Sequence, residues 1–279
     1  MSSDTLVVND TLVQHSSEGA GGDWMLHHIM DSNYLDFEPF GRILLPHLEL
    51  FGMDISITKH VVFMWLVAVI LILILMSVSK GYRKSLVPKG FTNFIEIMIV
   101  FVRDEIVKPT IGKDYQKYLP YLLTIFFFIL LSNLFGLLPY SATVTSNIAV
   151  TAALAGLSFI MTQLGGIRNY GFFGYIKAMV PHGMPVVILP LIIVVEILGL
   201  FTKPFALCIR LFANMIAGHV VILSLIGLIF IMGSVLVAPV SIAFALFIYL
   251  LELLVALIQA YIFTMLSSLF IGMAAHQEH

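Results

Sequence analysis

Apolar residues come in long, nearly unbroken runs along this chain, and the polar positions between them mark where it turns. Val61 to Ser79 is nineteen residues without a formal charge. As a helix, at 1.5 Å per residue, that is long enough to cross a hydrocarbon core about 30 Å thick. Trp65 lies within it as a candidate interface anchor. Lys80, Arg83 and Lys84 follow at once, and the positive-inside rule puts this end in the cytoplasm and the N-terminal region on the opposite face. Val87 to Lys108 has a different rhythm. Phe91, Phe94, Ile95, Met98, Ile99 and Val102 recur at three- and four-residue spacing, with Lys89, Glu96, Arg103 and Glu105 at other positions. The pattern predicts an amphipathic surface helix stopped at Pro109. The residues alone do not choose between a membrane surface and a protein partner for its apolar side.

Tyr118 to Leu138 predicts a second span, an uncharged turn follows around Pro139, and Asn147 to Leu164 begins the return. The return is rich in small residues (Thr151, Ala152, Ala153, Ala155, Gly156, Ser158), and Ala152 with Gly156 forms a small-xxx-small pair that favours close helix packing. Asn133 and Asn147 each have two readings, polar glue between helices or the lining of an aqueous path. Gly165 to His182 carries Arg168 and Lys177 among glycines and aromatics, which predicts a cytoplasmic loop or short surface helix.

The last two runs are longer than a membrane requires. Met184 to Phe230 is 47 residues and Ser241 to Gly272 is similarly long, whereas about 20 suffice for a perpendicular span. The first run contains no polar loop beyond Lys203-Pro204. They predict two very long helices, strongly tilted and joined by a turn near Gly233 to Pro239. The expected fold is therefore an all-α polytopic membrane protein with about five membrane-embedded helices plus an amphipathic surface helix, the last two forming a long, strongly tilted hairpin. The corresponding boundaries are 1–60 (acidic, non-cytoplasmic), 61–182 (peripheral spans and the amphipathic helix), 183–275 (the hairpin) and 276–279 (a cytoplasmic tail).

Composition agrees. The chain is 60% hydrophobic and 11% charged, against roughly 25% charge in a soluble domain. Residues 1 to 60 hold nine acidic side chains and two basic ones, Arg42 and Lys59. No basic n-region leads into an apolar core there, so neither a secretory signal nor a transit peptide is expected. That acidic head is expected to lie loosely on a membrane surface, and His27-His28 lacks the convergent ligands of a metal site. The single Cys208 excludes an intrachain disulfide and Cys-rich metal sites. The chain has no HExxH, GxSxG or P-loop. No catalytic site of its own, cofactor, metal or nucleic-acid partner is expected.

Four charged side chains remain in residues 183 to 275: Glu196, Lys203, Arg210 and Glu252. A charge at the centre of a spanning helix costs about 2.5 to 3.5 kcal/mol even on the lenient insertion scale. Such residues face a partner, a water-filled path or a moving charge; the bland alternative is a structural Arg210–Glu252 ion pair or snorkelling from helix ends. Glu196, Lys203 and Arg210 are seven apart and fall on nearly one side of a helix. Arg210 rises from a small-residue stripe of Ala206, Ala213, Asn214 and Ala217, and Tyr249, Glu252, Ala256, Gln259, Ala260 and Phe263 line a stripe on the last helix. His219, nine residues beyond Arg210, falls on the opposite face, where it is either a satisfied buried polar group or, with Glu252, a proton carrier.

RLFANMIAGH (Arg210 to His219) and LELLVALIQAYIFTML (Glu252 to Leu266) resemble the paired C-terminal motifs of the F-type ATP synthase a subunit family; SNLFGLLP (132 to 139), the region around Asn147, and Glu196 add to the likeness, which covers about residues 40 to 275. The resemblance implies a stator subunit beside a rotating ring of c subunits, held by peripheral-stalk b subunits among membrane lipids. It further implies that Arg210 faces the ring carboxylate as a charge barrier supported by Asn214. Asn147, His219, Glu252 and Gln259 would then form the non-cytoplasmic proton path, and Glu196 would belong to the cytoplasmic one. Many bacterial members carry glutamate at the position of His219 and histidine at that of Glu252. The exchanged arrangement here resembles mitochondrial members, while length and the acidic head resemble bacterial ones, implying a bacterial inner membrane. The rival reading of the same buried Arg, Glu and His is an ion-coupled secondary transporter, but no internal repeat of the kind those folds often show is evident.

Overall fold

A computed structural model describes residues 34–37, 41–44, 49–50, 53–54, 58–84, 89–138, 143–178, 189–233 and 236–275. The expectations for His27-His28, the acidic head before residue 34, the turn at Pro139 and the tail at 276–279 lie outside the described residues. Ahead of the helices the chain forms two short antiparallel pairs that the all-α reading did not contain. β1 (Tyr34–Phe37) pairs with β2 (Gly41–Leu44), Tyr34 opposite Leu44, and β3 (Glu49–Leu50) pairs with β4 (Met53–Asp54). The other described residues are mostly helical, and among them five helical stretches are long and apolar enough to cross a membrane. This is a polytopic membrane protein.

The first of them, α1 (Lys59–Lys84), buries Phe63, Val67, Leu71 and Val78 on one side and exposes Trp65, Ile72, Leu73 and Met76 on the other. A helix apolar on both faces is stable only where its outer face meets hydrocarbon rather than water. α2 (Phe91–Phe101) passes through one π-helical turn (Val102–Val107) into α3 (Lys108–Ile111). Pro109 does not stop this helix as expected. It follows directly on the π-helical turn, within a continuous helical stretch, and the chain departs from helical geometry instead at Gly112, φ 73°. The apolar side of α2 is split: Ile95 and Val102 are buried against this chain's own helices, whereas Phe91 and Phe94 are exposed. Arg103 and Lys108 both hold Asp104 on the polar side, with Arg103 Nε and Nη2 donating at 2.9 and 2.8 Å.

α4 (Tyr115–Gly136) and α5 (Ile148–Ala178) follow the two predicted spans. Of the two forms expected from Gly165 on, loop or short surface helix, the described residues are helical: α5 continues past Gly165, kinks at Gly171, whose φ of 70° favours glycine, and ends in a short helical piece to Ala178. The small-residue reading of α5 needs correcting in its register. Thr151, Leu154, Ala155 and Ser158 form the buried face, while Ala152 is exposed and a methyl group on Gly156 would meet nothing within 4 Å. Spacing alone allowed two adjacent stripes, and the hydroxyls chose between them. Thr151 Oγ1 lies 3.5 Å from Cys208 Sγ, and Ser158 Oγ donates to Ser267 Oγ at 2.8 Å, bonds worth most where water cannot compete.

The two long runs are α6 (Leu189–Met232) and α7 (Ala238–Ala275), of 44 and 38 residues, or roughly 66 and 57 Å end to end. α6 carries Pro204 within it. α7 occupies the centre, touching α3, α4, α5 and α6. Its Glu252, Ala256, Gln259, Ala260 and Phe263 are buried, as its stripe predicts; Tyr249 is more exposed, its hydroxyl donating to Leu137 O at 3.1 Å. At the far end, a Cβ on Gly272 would run into the Thr110 carbonyl oxygen, beside the Thr110–Ser268 hydroxyl pair. Gly272→Ala is therefore expected to destabilise the subunit by about 1 to 3 kcal/mol. Gly156→Ala, with open space, should be neutral or stabilising by up to about 1 kcal/mol. Thermal unfolding of the detergent-extracted complex compares them; equal midpoints would refute the close approach at Gly272.

Candidate functional site

The polar residues inside this apolar body gather at two places on α6, with Arg210 between them. Toward its C-terminal half, His219 faces Glu252 of α7, Nε2 to Oε1 3.7 Å. Glu252 is 3% exposed and neither of its oxygens has a hydrogen-bond partner among the described residues. Room for that carboxyl comes from Gly218: a Cβ there would stand 2.6 Å from Glu252 Oε1. One α6 residue without a side chain thus lets the α7 carboxyl come in beside the imidazole. The same His219 Nε2 shares a hydrogen bond with Thr143 Oγ1 at 2.5 Å, its donor set by the tautomer.

Two helical turns along α7, Gln259 is buried and its Oε1 accepts from Asn214 Nδ2 at 2.9 Å, joining the two helices, while Gln259 Nε2 finds no partner among the described residues. Buried polar atoms of this kind are costly to leave unpaired, about 1 to 3 kcal/mol each. Their clustering along one seam fits a path that water or protons enter. Asn147 stands at the N-terminus of α5, where its Oδ1 accepts the Ala149 N–H at 2.9 Å as a helix cap. Asn133 is fully buried, its Oδ1 accepting from Thr145 Oγ1 at 2.6 Å while its Nδ2 has no partner among the described residues; it ties α4 to the turn before α5 and leaves both of its readings open.

The second place lies at the other end. Glu196 and Lys203 line a partly open cavity of about 200 Å³ with Ser158, Thr162, Gln163 and Tyr175 and with apolar side chains such as Leu200 and Phe270. Gln163 Nε2 is buried there without a partner among the described residues, and Lys203 Nζ sits 5.6 Å from the Phe270 ring centre. Glu196, Lys203 and Arg210 all lie on this one continuous helix at seven-residue spacing, and of the three only Glu196 and Lys203 line the cavity.

Arg210 is half-buried and has no hydrogen bond or ion pair among the described residues. No ion pair joins it to Glu252, so the structural-pair alternative is absent. Around it Ala206, Ala213, Asn214 and Ala217 are exposed. By helix rise, Arg210 stands roughly 21 Å from Glu196 and roughly 13 Å from His219 along the axis. Sequence reasoning missed Thr143 and Gly218. The glycine immediately before His219 was the available signal for the second; nothing local marks the first.

Fold and site together define a polytopic membrane protein that carries two separated groups of polar side chains along a helix bearing a half-buried arginine without a hydrogen bond or ion pair among the described residues. The profile of the ATP synthase A chain family matches residues 61–272. The chain is 54% identical to ATP synthase subunit a of Chloroherpeton thalassium over 258 residues, 91% of this chain and 77% of the relative. It is 51% identical to the Chlorobium phaeobacteroides (strain DSM 266) subunit a over 95% and 78% of the two chains. It is 50% identical to the Anaeromyxobacter dehalogenans protein of the same name over 90% and 70%. The chain belongs to the F-type ATP synthase subunit a family, the proton-channel component of the membrane sector.

Proposed function

We propose that this chain supplies two offset aqueous half-channels and an arginine barrier that couple proton flow to rotation of a c-subunit ring. The observation that carries this reading is the separation of two polar centres on one helix with Arg210 between them. The non-cytoplasmic half-channel runs by Asn147, His219, Glu252 and Gln259, and the cytoplasmic one opens at the Glu196 cavity. Neither reaches the other except through a carboxylate carried past Arg210 on the ring. The guanidinium stays protonated at any relevant pH, so it blocks a direct leak and favours the ionised carboxylate as it passes. Each proton crossing 100 mV delivers about 2.3 kcal/mol, and the offset makes rotation the route by which that energy is collected.

The exposed alanine face around Arg210 admits a closely packed partner helix, in keeping with a ring. The excess length of α6 and α7 over a bilayer, with that partner covering them, supports a strongly tilted hairpin. The basic end of α1 supports a cytoplasmic location for that end and for the C-terminus, in a bacterial inner membrane, with α2 lying along the surface and peripheral-stalk b subunits holding the outer helices. Thiol labelling tests the two passages. In a Cys208→Ser background, Thr162→Cys should react with a membrane-impermeant reagent from the cytoplasmic side only. Asn147→Cys, at a partly buried position on the proposed non-cytoplasmic path, should react from the opposite side only. Either thiol labelled equally from both sides would overturn offset passages.

A further inference from the structure

The described segment just before α5, Thr143 to Asn147, is held from α1 and α4 and by its own bonds. His60 Nε2 of α1 lies 3.3 Å from Ser146 Oγ, Thr145 binds Asn133 of α4, and within the segment Ser146 donates from both its N–H (3.0 Å) and its hydroxyl (2.8 Å) to Thr143 O. Gly136 of α4 leaves no room for a Cβ against Thr143 Oγ1. Thr143, 4% exposed, is thus clamped at its carbonyl and at its side chain, and its hydroxyl is spent on His219 Nε2. That nitrogen is the same one that faces Glu252 Oε1 at 3.7 Å. His219 has no other hydrogen bond among the described residues, and its ring is one-quarter exposed. An imidazole held at one point would otherwise swing about its χ angles. A hydroxyl can donate or accept without changing charge, so it can hold the ring in either protonation state; because Nε2 carries one proton or one lone pair, its bond to Thr143 is broken whenever it bonds Glu252 and is remade between transfers.

We infer that Thr143 is the positioning residue that aims His219 at Glu252. This rests on the reading of His219 and Glu252 as a proton path. The rigid turn carries the aim from α4 and α1 to α6, so the histidine's direction is set by a segment 76 residues away in sequence.

The test uses the assembled synthase in inverted membrane vesicles, scoring proton-driven ATP synthesis against subunit abundance. Thr143→Val keeps shape and removes the hydroxyl, and is expected to lower the rate about fivefold at normal abundance, the worth of one neutral hydrogen bond. Thr143→Ser, which restores the hydroxyl, should return at least half of the rate. On a His219→Gln background, T143V should add nothing, because the ring it aims is gone. A full-rate T143V beside an impaired H219Q overturns this inference and leaves the proton path standing. A full-rate H219Q overturns the path itself. A T143V loss that multiplies undiminished onto H219Q assigns Thr143 to structure alone and also overturns the inference. Should valine prevent accumulation, Thr143→Ala is read in its place; failure of both to accumulate likewise makes Thr143 a structural residue and overturns the inference.

Discussion

Arg210→Ala is expected to abolish proton-driven ATP synthesis while leaving the subunit in the membrane at normal amount. Assembly should survive because the arginine contributes nothing visible to packing. The helix is held by Leu207, Cys208, Leu211 and Met215 on its buried side, and Arg210 has neither a hydrogen bond nor an ion pair among the described residues to lose. The functional loss should be large. A unit positive charge about 4 Å from a carboxylate at an effective dielectric near 20 is worth about 4 kcal/mol, on the order of a thousandfold in the rate of a step that depends on it. Arg210→Lys separates charge from shape: the ammonium is more strongly hydrated and is a point donor rather than a planar fork, so only partial recovery is expected. Synthesis rates in membrane vesicles, normalised to the assembled complex, provide the measurement. An alanine variant that assembles and makes ATP at the normal rate would refute the barrier.

How much of the fold was legible in the residues depended on the range of the interaction that placed each element. α1 and α4 were legible to within a few residues because nineteen or more uncharged, mostly apolar positions in a row admit one physical solution in lipid. The continuity of α6 past Lys203-Pro204 was legible because its charged residues stand singly and no polar loop interrupts the run. The π-helical turn before Pro109 was not. It shifts the helix by one residue where Val102, Ile106 and Val107 all bury, and that preference belongs to the packed neighbours. The wrong stripe on α5 failed similarly, since alanines mark where a helix can approach but not which partner does. Arg210, Glu252 and Gln259 announce themselves as polar groups in apolar surroundings. Thr143 sits in a stretch of hydroxyl residues where any one looks like its neighbours, and only the fold singles it out.

Glu252→Gln is the sharpest test of the passage behind Arg210. The carboxyl is almost wholly enclosed, it lacks a donor on either oxygen among the described residues, and His219 Nε2 stands 3.7 Å from it. An ionised carboxylate left that way is expensive, and at that separation the pair needs an intervening water or a small movement to bond. Such a site suits a group that takes up a proton and gives it away more than one that anchors two helices, because an anchor would have its hydrogen bonds made. Glutamine keeps the volume that Gly218 accommodates and cannot exchange a proton in this range, so the subunit should accumulate normally. Proton-driven synthesis should fall about a hundredfold, the lower end of what a positioned proton-transfer group contributes. Glu252→Asp, one methylene shorter but still titratable, should recover part of that rate. If glutamine and glutamate supported equal rates at equal abundance, the carboxyl would be a packing group and protons would have to reach the ring by another way.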